Sequence, residues 1–395
     1  LNRAITFEPL KFTRKIFEAQ LEKTMEKTRY YEFDWIRVLV FALLIPYHTG
    51  MIFVSWGWHI KSQETSELLE VLMLITNRWR LPLLFCISGI GSYYALKKIT
   101  NWQFTKERFK RLFIPLFFGI FVIVPPQIYF ERLQQGANFS YFEFYPSVFE
   151  FVSYPKGSFS WHHLWFISYL FVFSLISIPL FSYLKSEKGK KFANRLVEWI
   201  GKGYRFYLIL IPALIMHLIL DPLFPTTHNL TRDWANFTTS LYVFLLGYFF
   251  ATNPIWVDKI RELRWISLFL AIICYVLLIF FWKSEILKPI FDQEARDVIY
   301  TIIDNGLGGG GVFAFIGFAR QHLTYNSQFL QYANRAVYPF YILHQTVIVC
   351  IGYYLIQNTW SIGAQFLVIN ILTFLITWLL YEIVKRTMLT RVLFG

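Results

Sequence analysis

The chain has 395 residues, of which 56% are hydrophobic, 21% aromatic and only 16% charged, where soluble domains carry roughly 25% charge. With a mean hydropathy of +0.43, that composition excludes an ordinary soluble protein and marks a polytopic membrane protein. The formal net charge of +13 would suit nucleic acid, but the positive residues follow membrane topology, so no nucleic-acid partner is expected.

Residues 1–33 are charged throughout and hold no continuous apolar segment, which reads as a cytoplasmic N-terminal tail with no cleavable signal peptide. Apolar runs long enough to cross about 30 Å of hydrocarbon follow near 35–56, 79–97, 110–130, 163–184, 204–220, 237–252, 265–282, 298–318, 335–356 and 362–384. The expected architecture is all-α: ten transmembrane helices in one membrane domain over 34–387, then a short cytoplasmic C-terminal tail, 388–395. With the N-terminus inside, the outer loops hold only Lys61, Arg132, Lys156, Arg232, Lys283, Lys288 and Arg296 among 38 Lys and Arg. That asymmetry argues for N-in, C-in. Cys86, Cys274 and Cys350 fall within spans, an odd number of thiols that offers neither a disulfide framework nor metal-ligand spacing; no metal is expected.

In the first span, Arg37 and His48 interrupt an apolar stretch. On one continuous helix the eleven residues between them leave the side chains about 20° apart around the axis and about 16 Å apart along it. An arginine within a span costs at least about 2.5 kcal/mol and faces a cavity or a partner, so the pair reads as two points on one tunnel. His344, on the ninth span, reaches a similar mid-membrane depth, and histidine takes and returns protons near neutrality. Asp304 and Asn305 on the eighth span are candidates to orient an imidazole or bind a hydroxyl, with pairing of Asp304 to Arg80 as the structural alternative. Lys97, Lys98, Lys106, Arg108, Lys110 and Arg111 form a basic inner lip that suits phosphate or merely follows topology. At the outer side Trp56, Trp58, His59, Trp161, His162 and His163, with Arg78 and Arg80, suggest an acceptor vestibule, or interfacial anchors. The aromatic loop over 131–160 suits sugar rings or an interfacial belt. The glycines from Gly306 to Gly311 suggest close helix packing or a groove for a thin ligand arm. A donor with a phosphorylated head and a long narrow arm, as acyl-coenzyme A has, fits a basic lip leading past Arg37 to His48.

These residues resemble the membrane acyltransferase-3 family, in particular its periplasmic-glucan succinyltransferase branch (glucans biosynthesis protein C). FDWIR with IPYH supplies Asp34, Arg37 and His48 in an Arg-x10-His arrangement, and WHIKS carries His59. LPLLFCISG gives Phe85, Ser88 and Gly89 after Arg80; RFKRLFIP gives Arg108, Arg111 and Pro115. HLWF gives His163 and Trp165, NRAVYPFYILH ends at His344, and YEIVKR provides Glu382 and Arg386. The order of these short motifs across nearly the whole chain carries the resemblance. Pro339 departs from the pattern and raises the prospect of a kink that moves His344.

The resemblance implies an O-acyltransferase of the bacterial inner membrane, multi-pass and in contact with membrane lipids. It would move an acyl group, acetyl or succinyl, from cytoplasmic acyl-coenzyme A, a co-substrate, to a hydroxyl of an extracytoplasmic carbohydrate. His48, His344 and Asp304 are the expected catalytic residues, with His48 central. Arg37, Asp34, Arg108, Arg111 and Ser88 are expected at the donor, and Arg80, His59, His163, Trp165 and Asn305 at the acceptor. Either direct transfer or an acyl-histidine relay fits the residues. The competing readings are a proton-coupled transporter of a small anion or sugar, using the same histidines, and a non-catalytic membrane scaffold.

Overall fold

A computed structural model describes residues 30–283 and 290–395. The N-terminal tail lies outside the described residues except for 30–33, and so does Lys288. The described chain is all-helical, without strands. Among the described residues seven helices are long and apolar enough to cross a membrane, or nine if each of two bent pairs counts as one span.

The first apolar stretch departs from a single span. It forms α1 (Tyr31–Ala42) and α2 (Leu44–Gly50), divided at Leu43. Pro46 explains the division: it has no N–H for the carbonyl four residues before it, and its ring crowds that carbonyl. Leu43 keeps helical dihedrals (φ −67°, ψ −18°), and the chain turns irregular after Gly50, short of the expected end at 56. The second span begins three turns earlier than hydropathy suggests. α3 (Glu67–Asn77), capped by Ser66 accepting from the Leu69 N–H, runs almost directly into α4 (Arg80–Leu96).

α5 (Asn101–Gln134) has 34 residues, about 50 Å of helix, and so projects well beyond the hydrocarbon. A Thr100/Gln103 capping box starts it, and two π-helical turns interrupt it at Phe109–Phe113 and Gly119–Ile123. Each π turn directly precedes prolines, Pro115 and the pair Pro125–Pro126, whose missing N–H groups break the regular ladder. The carbonyls left over take partners from other segments: Phe121 O accepts from the Tyr145 hydroxyl (3.0 Å) and Ile123 O from Thr346 Oγ1 (2.6 Å).

α6 (Trp165–Ile176) and α7 (Ile178–Lys185) form an apolar pair bent by 49° beside Pro179. α8 (Glu187–Ile200) is a surface helix, and α9 (Gly203–Leu220) returns through the membrane. α10 (Trp234–Thr252) turns by 106° into α11 (Pro254–Glu262), where extended Asn253 caps the Ile255 N–H. α12 (Arg264–Lys283), α13 (Gln293–His322), α14 (Gln328–Leu355) and α15 (Ile362–Val384) complete the bundle. The expected C-terminal tail packs onto the bundle: α16 (Met388–Leu393) leads to Phe394, whose ring meets Phe118 edge-on.

Burial separates core from rim. α5, α13 and α14 are mostly enclosed, whereas α9, α12 and α15 turn bulky apolar residues such as Ile215, Phe269, Ile273, Leu367 and Leu379 outward. An apolar surface this continuous requires lipid against it. The three cysteines are free thiols.

Glycines set the closest helix contacts. A Cβ on Gly89 of α4 would stand 1.9 Å from the Phe244 carbonyl oxygen of α10, and one on Gly247 of α10 would stand 1.8 Å from that of Cys86. The two helices therefore touch backbone to backbone, which gives the glycine of the Phe-x-x-Ser-Gly segment a packing role. The run Gly306–Gly311 also packs: Gly309 abuts Leu210, Gly310 the Ser267 carbonyl and Gly311 the Trp79 ring. Substituting Gly89→Ala or Gly247→Ala is expected to destabilise the fold by about 1–3 kcal/mol through overpacking, read as a lower thermal midpoint of the purified protein in detergent. Gly91→Ala, with open space around its Cβ, should leave the midpoint unchanged or higher.

Candidate active site

His48 on α2 and His344 on α14 meet directly, His48 Nδ1 lying 2.8 Å from His344 Nε2. The Pro339 departure does not separate them: α14 is continuous through the proline. The neighbours fix the tautomers. His344 Nδ1 faces the carbonyl oxygens of Tyr341 (2.7 Å) and Phe340 (3.2 Å), which only accept, so this nitrogen carries the hydrogen. In the neutral ring Nε2 is then an acceptor and must receive a hydrogen from His48 Nδ1. The remaining nitrogen of His48, Nε2, keeps a free lone pair. Carbonyl, His344 and His48 thus form a directed chain that ends in a base.

Around the pair stand rings and one charge. The Trp58 indole lies parallel to His48, 5° from coplanar at 6.4 Å, and Tyr47 meets it edge-on. Arg80 is 3% exposed and its guanidinium carbon sits 3.5 Å from the centroid of the Tyr47 ring. Among the described residues no carboxylate pairs with Arg80, and its Nε and Nη1 are buried with no hydrogen-bond partner. A buried cation so placed can receive an anion or a developing oxyanion beside His48.

His163 backs the pair. Its Nε2–H donates to Ile342 O (3.0 Å), Gln127 Nε2 donates to its Nδ1 (3.4 Å), and its own carbonyl accepts from the Tyr341 hydroxyl (2.5 Å). With both nitrogens engaged and its ring edge-on to His344 at 5.4 Å, His163 supports His344 and is not free to hold an acceptor. Trp165 is likewise enclosed, 8% exposed, with His228 stacked on it at 4.2 Å. Burial lowers the pKa of His228, which favours the neutral ring in that stack.

Asp304 and Asn305 do not join the histidines. Asp304 pairs with Arg78 (2.7 Å), not with Arg80, and Asn305 donates to Leu210 O (3.3 Å). Both line a separate cleft with Arg78, His217 and Tyr242. Equal depth along two helices says nothing of which face each residue occupies, and α13 turns Asp304 toward Arg78.

At the other end of the site Arg37 Nη1 donates to Asp34 Oδ1 (3.2 Å) and to Asn334 Oδ1 of α14 (3.1 Å). Arg108 donates to Ser92 Oγ (3.1 Å) and lies over the Phe104 ring, with Arg37, Arg111 and Tyr338 among its electrostatic neighbours. The arginines from α1 and α5 therefore belong to one cationic region. Ser88 contributes no hydroxyl hydrogen to it, since its Oγ donates to Leu84 O of its own helix (2.8 Å); Ser92, one turn on, reaches Arg108.

Several residues here had no signal in the sequence. Gln345, next to His344, donates to Gln127 Oε1 (3.0 Å) and contacts His59 Nε2 (3.1 Å). Glu131 accepts from His59 Nδ1 (2.7 Å) and from the Tyr154 hydroxyl (2.5 Å). Lys61 fastens the segment that carries Trp58, its ammonium donating to the carbonyls of Met51 (2.7 Å), Val54 and Trp56 (2.9 Å). Burial lowers the Lys61 pKa and nearby Glu70 opposes the shift. The aromatic loop directs many of its rings at one another: Tyr129 meets Tyr141 and Phe139 stacks on Phe144, while Phe142 and Phe151 stay exposed.

Comparison with known proteins fits this arrangement. The acyltransferase domain family Acyl_transf_3 matches residues 30–382. Glucans biosynthesis protein C of Escherichia coli O157:H7 (strain EC4115 / EHEC) is 25% identical over 386 residues, covering 93% of this chain and 94% of its own. The protein of the same name from Salmonella paratyphi B (strain ATCC BAA-1250 / SPB7) is 23% identical over 382 residues with the same coverage. No solved structure gives a significant match. The apolar helices, the converging site and the match over most of its length place the chain in the acyltransferase-3 family, as a multi-pass membrane acyltransferase.

Proposed function

We propose that this acyltransferase moves an acetyl or succinyl group from cytoplasmic acyl-coenzyme A to a hydroxyl of an extracytoplasmic glycan, in a bacterial inner membrane with both termini inside. The observation that carries this reading is the directed chain from the Tyr341 carbonyl through His344 to His48, which leaves a basic nitrogen beside a buried arginine that pairs with no carboxylate among the described residues. The cationic region of Arg37, Arg108 and Arg111 supports a phosphate-bearing donor at one end. Trp58, parallel to His48, supports a glycan arriving from the other, since an aromatic face suits a sugar ring. The relatives' name, which concerns glucan biosynthesis, supports a glycan as that acceptor.

In this mechanism His48 Nε2 takes the proton of the acceptor hydroxyl as its oxygen attacks the thioester carbonyl. Arg80 receives the negative charge that develops on the carbonyl oxygen. The carbon–sulfur bond then breaks, and the departing thiolate takes the proton back from His48. Two protonated positions on His48 exist only between these steps, and His344 Nε2 stabilises that imidazolium as an acceptor. Transfer is direct, with no acyl-enzyme.

Mass spectrometry of envelope glycans from cells with and without the protein names both the acyl group and its acceptor. His48→Ala should lower transfer by about 10²–10⁴-fold, the usual contribution of a general base, with the protein still folded. Full transfer by that variant would overturn the mechanism, and uptake of an unmodified anion or sugar would overturn the reaction. In steady-state kinetics Arg37→Ala and Arg108→Ala should raise the KM for acyl-coenzyme A about tenfold or more while changing kcat less. His344→Ala should do the reverse, because it removes the partner that orients the base.

A further inference from the structure

Near His48 but outside the catalytic chain, three residues distant in sequence present nitrogen and oxygen atoms to one another. His59 comes from the irregular segment after α2, Glu131 from the last turns of α5, and His162 from the short turn before α6. Each offers one ligating atom, and these atoms lie within 4.8 Å of one another. The opposite atoms of all three are held by neighbours. His162 Nδ1 is bonded to Ser160 Oγ (2.8 Å), Glu131 Oε1 accepts from Tyr154 (2.5 Å) and Gln135 (3.4 Å), and His59 Nε2 meets Gln345 (3.1 Å). The atoms not held in this way are His59 Nδ1, Glu131 Oε2 and His162 Nε2. The first two are 2.7 Å apart and share a hydrogen; the third is buried with no hydrogen-bond partner.

We propose that His59, Glu131 and His162 form a binding site for a divalent transition metal of the zinc type. Two imidazoles and one carboxylate are a donor set that zinc accepts, with a fourth position left for water. Fixed outer atoms are what such sites require, because a ligand whose far side is anchored presents its near side at a set angle. The metal takes the place of the hydrogen between His59 and Glu131, and the neutral His59 ring carries that hydrogen on Nε2 instead, on the side of Gln345. The metal also gives His162 Nε2 the partner it lacks. The two rings are stacked at 4.4 Å with planes 25° apart, so ligation by both turns the His162 imidazole about its Cβ–Cγ bond, its Ser160 contact adjusting while Glu131 and His59 keep their anchors. Because Trp58, adjacent to His59, lies against His48, the ion ties three separate segments into the wall of the catalytic pair. Its role there is to hold that wall, and the transfer step does not pass through it.

The test uses the full-length protein purified in detergent and stripped with chelator. Zinc titration against a chromophoric indicator should show one tight equivalent. Cobalt(II) should give visible absorption of a low-coordinate nitrogen and oxygen site. His162→Ala and Glu131→Gln should each weaken zinc binding at least tenfold and abolish the cobalt spectrum, while His48→Ala keeps the equivalent. Zinc should raise the thermal midpoint of the wild type and leave that of His162→Ala unmoved, which separates lost ligation from lost folding. No stoichiometric zinc in the wild type, or tight binding that survives both ligand variants, would overturn the proposal.

Discussion

The molecule turns on one hydrogen bond whose direction is imposed from behind. Two adjacent imidazoles could share a proton either way, but His344 faces main-chain carbonyls that have no hydrogen to give. This fixes the orientation of both rings with no buried carboxylate, a group whose charge would be costly at this depth. Neutral donors and acceptors do the orienting within a helix that has to be there anyway. Gln127, His163, Tyr341 and Thr346 continue the pattern behind the pair with uncharged donors and acceptors.

Charge is instead kept at the ends of the site. Arg37 and Arg108 gather where α1, α4, α5 and α14 approach one another, and each has polar company. Arg80 differs: enclosed, stacked on Tyr47 and with two idle nitrogens. An arginine in that condition raises the free energy of the resting protein relative to a state in which an anion reaches it. The site is therefore electrostatically incomplete by itself, which is the condition for stabilising charge that appears only during reaction.

Much of this was legible from the chain, for reasons that can be named. Long apolar runs declare membrane helices because a helix closes its own backbone hydrogen bonds and shows only side chains to the hydrocarbon, and the meeting of His48 with His344 is legible from depth. Depth did not suffice for Asp304, since a helix of the same pitch shows each residue to only one neighbour, and α13 shows Asp304 to Arg78. The sequence suggests an outer vestibule for His163, and the resemblance implies an acceptor contact for Trp165; packing against His344 and His228 encloses them instead. Glu131, Gln127 and Gln345 were overlooked because their significance comes from convergence, not spacing. The break at Leu43 was visible in principle, at Pro46, yet the apolar run on either side concealed it.

The two π-helical turns of α5 bear on how this chain tolerates changes in length. A π turn holds one residue more than an α turn, so each absorbs a single inserted residue without rotating the helix beyond it. Gln127 and Glu131 lie beyond both turns, and Arg108 lies before them. Removing one residue within either turn can return it to regular helix with both ends of α5 still facing their partners. Removing one from the regular stretch beyond them would swing Glu131 by about 100°, away from His59. The helix thus carries two places where its length is negotiable, set between two sites where its rotation is not.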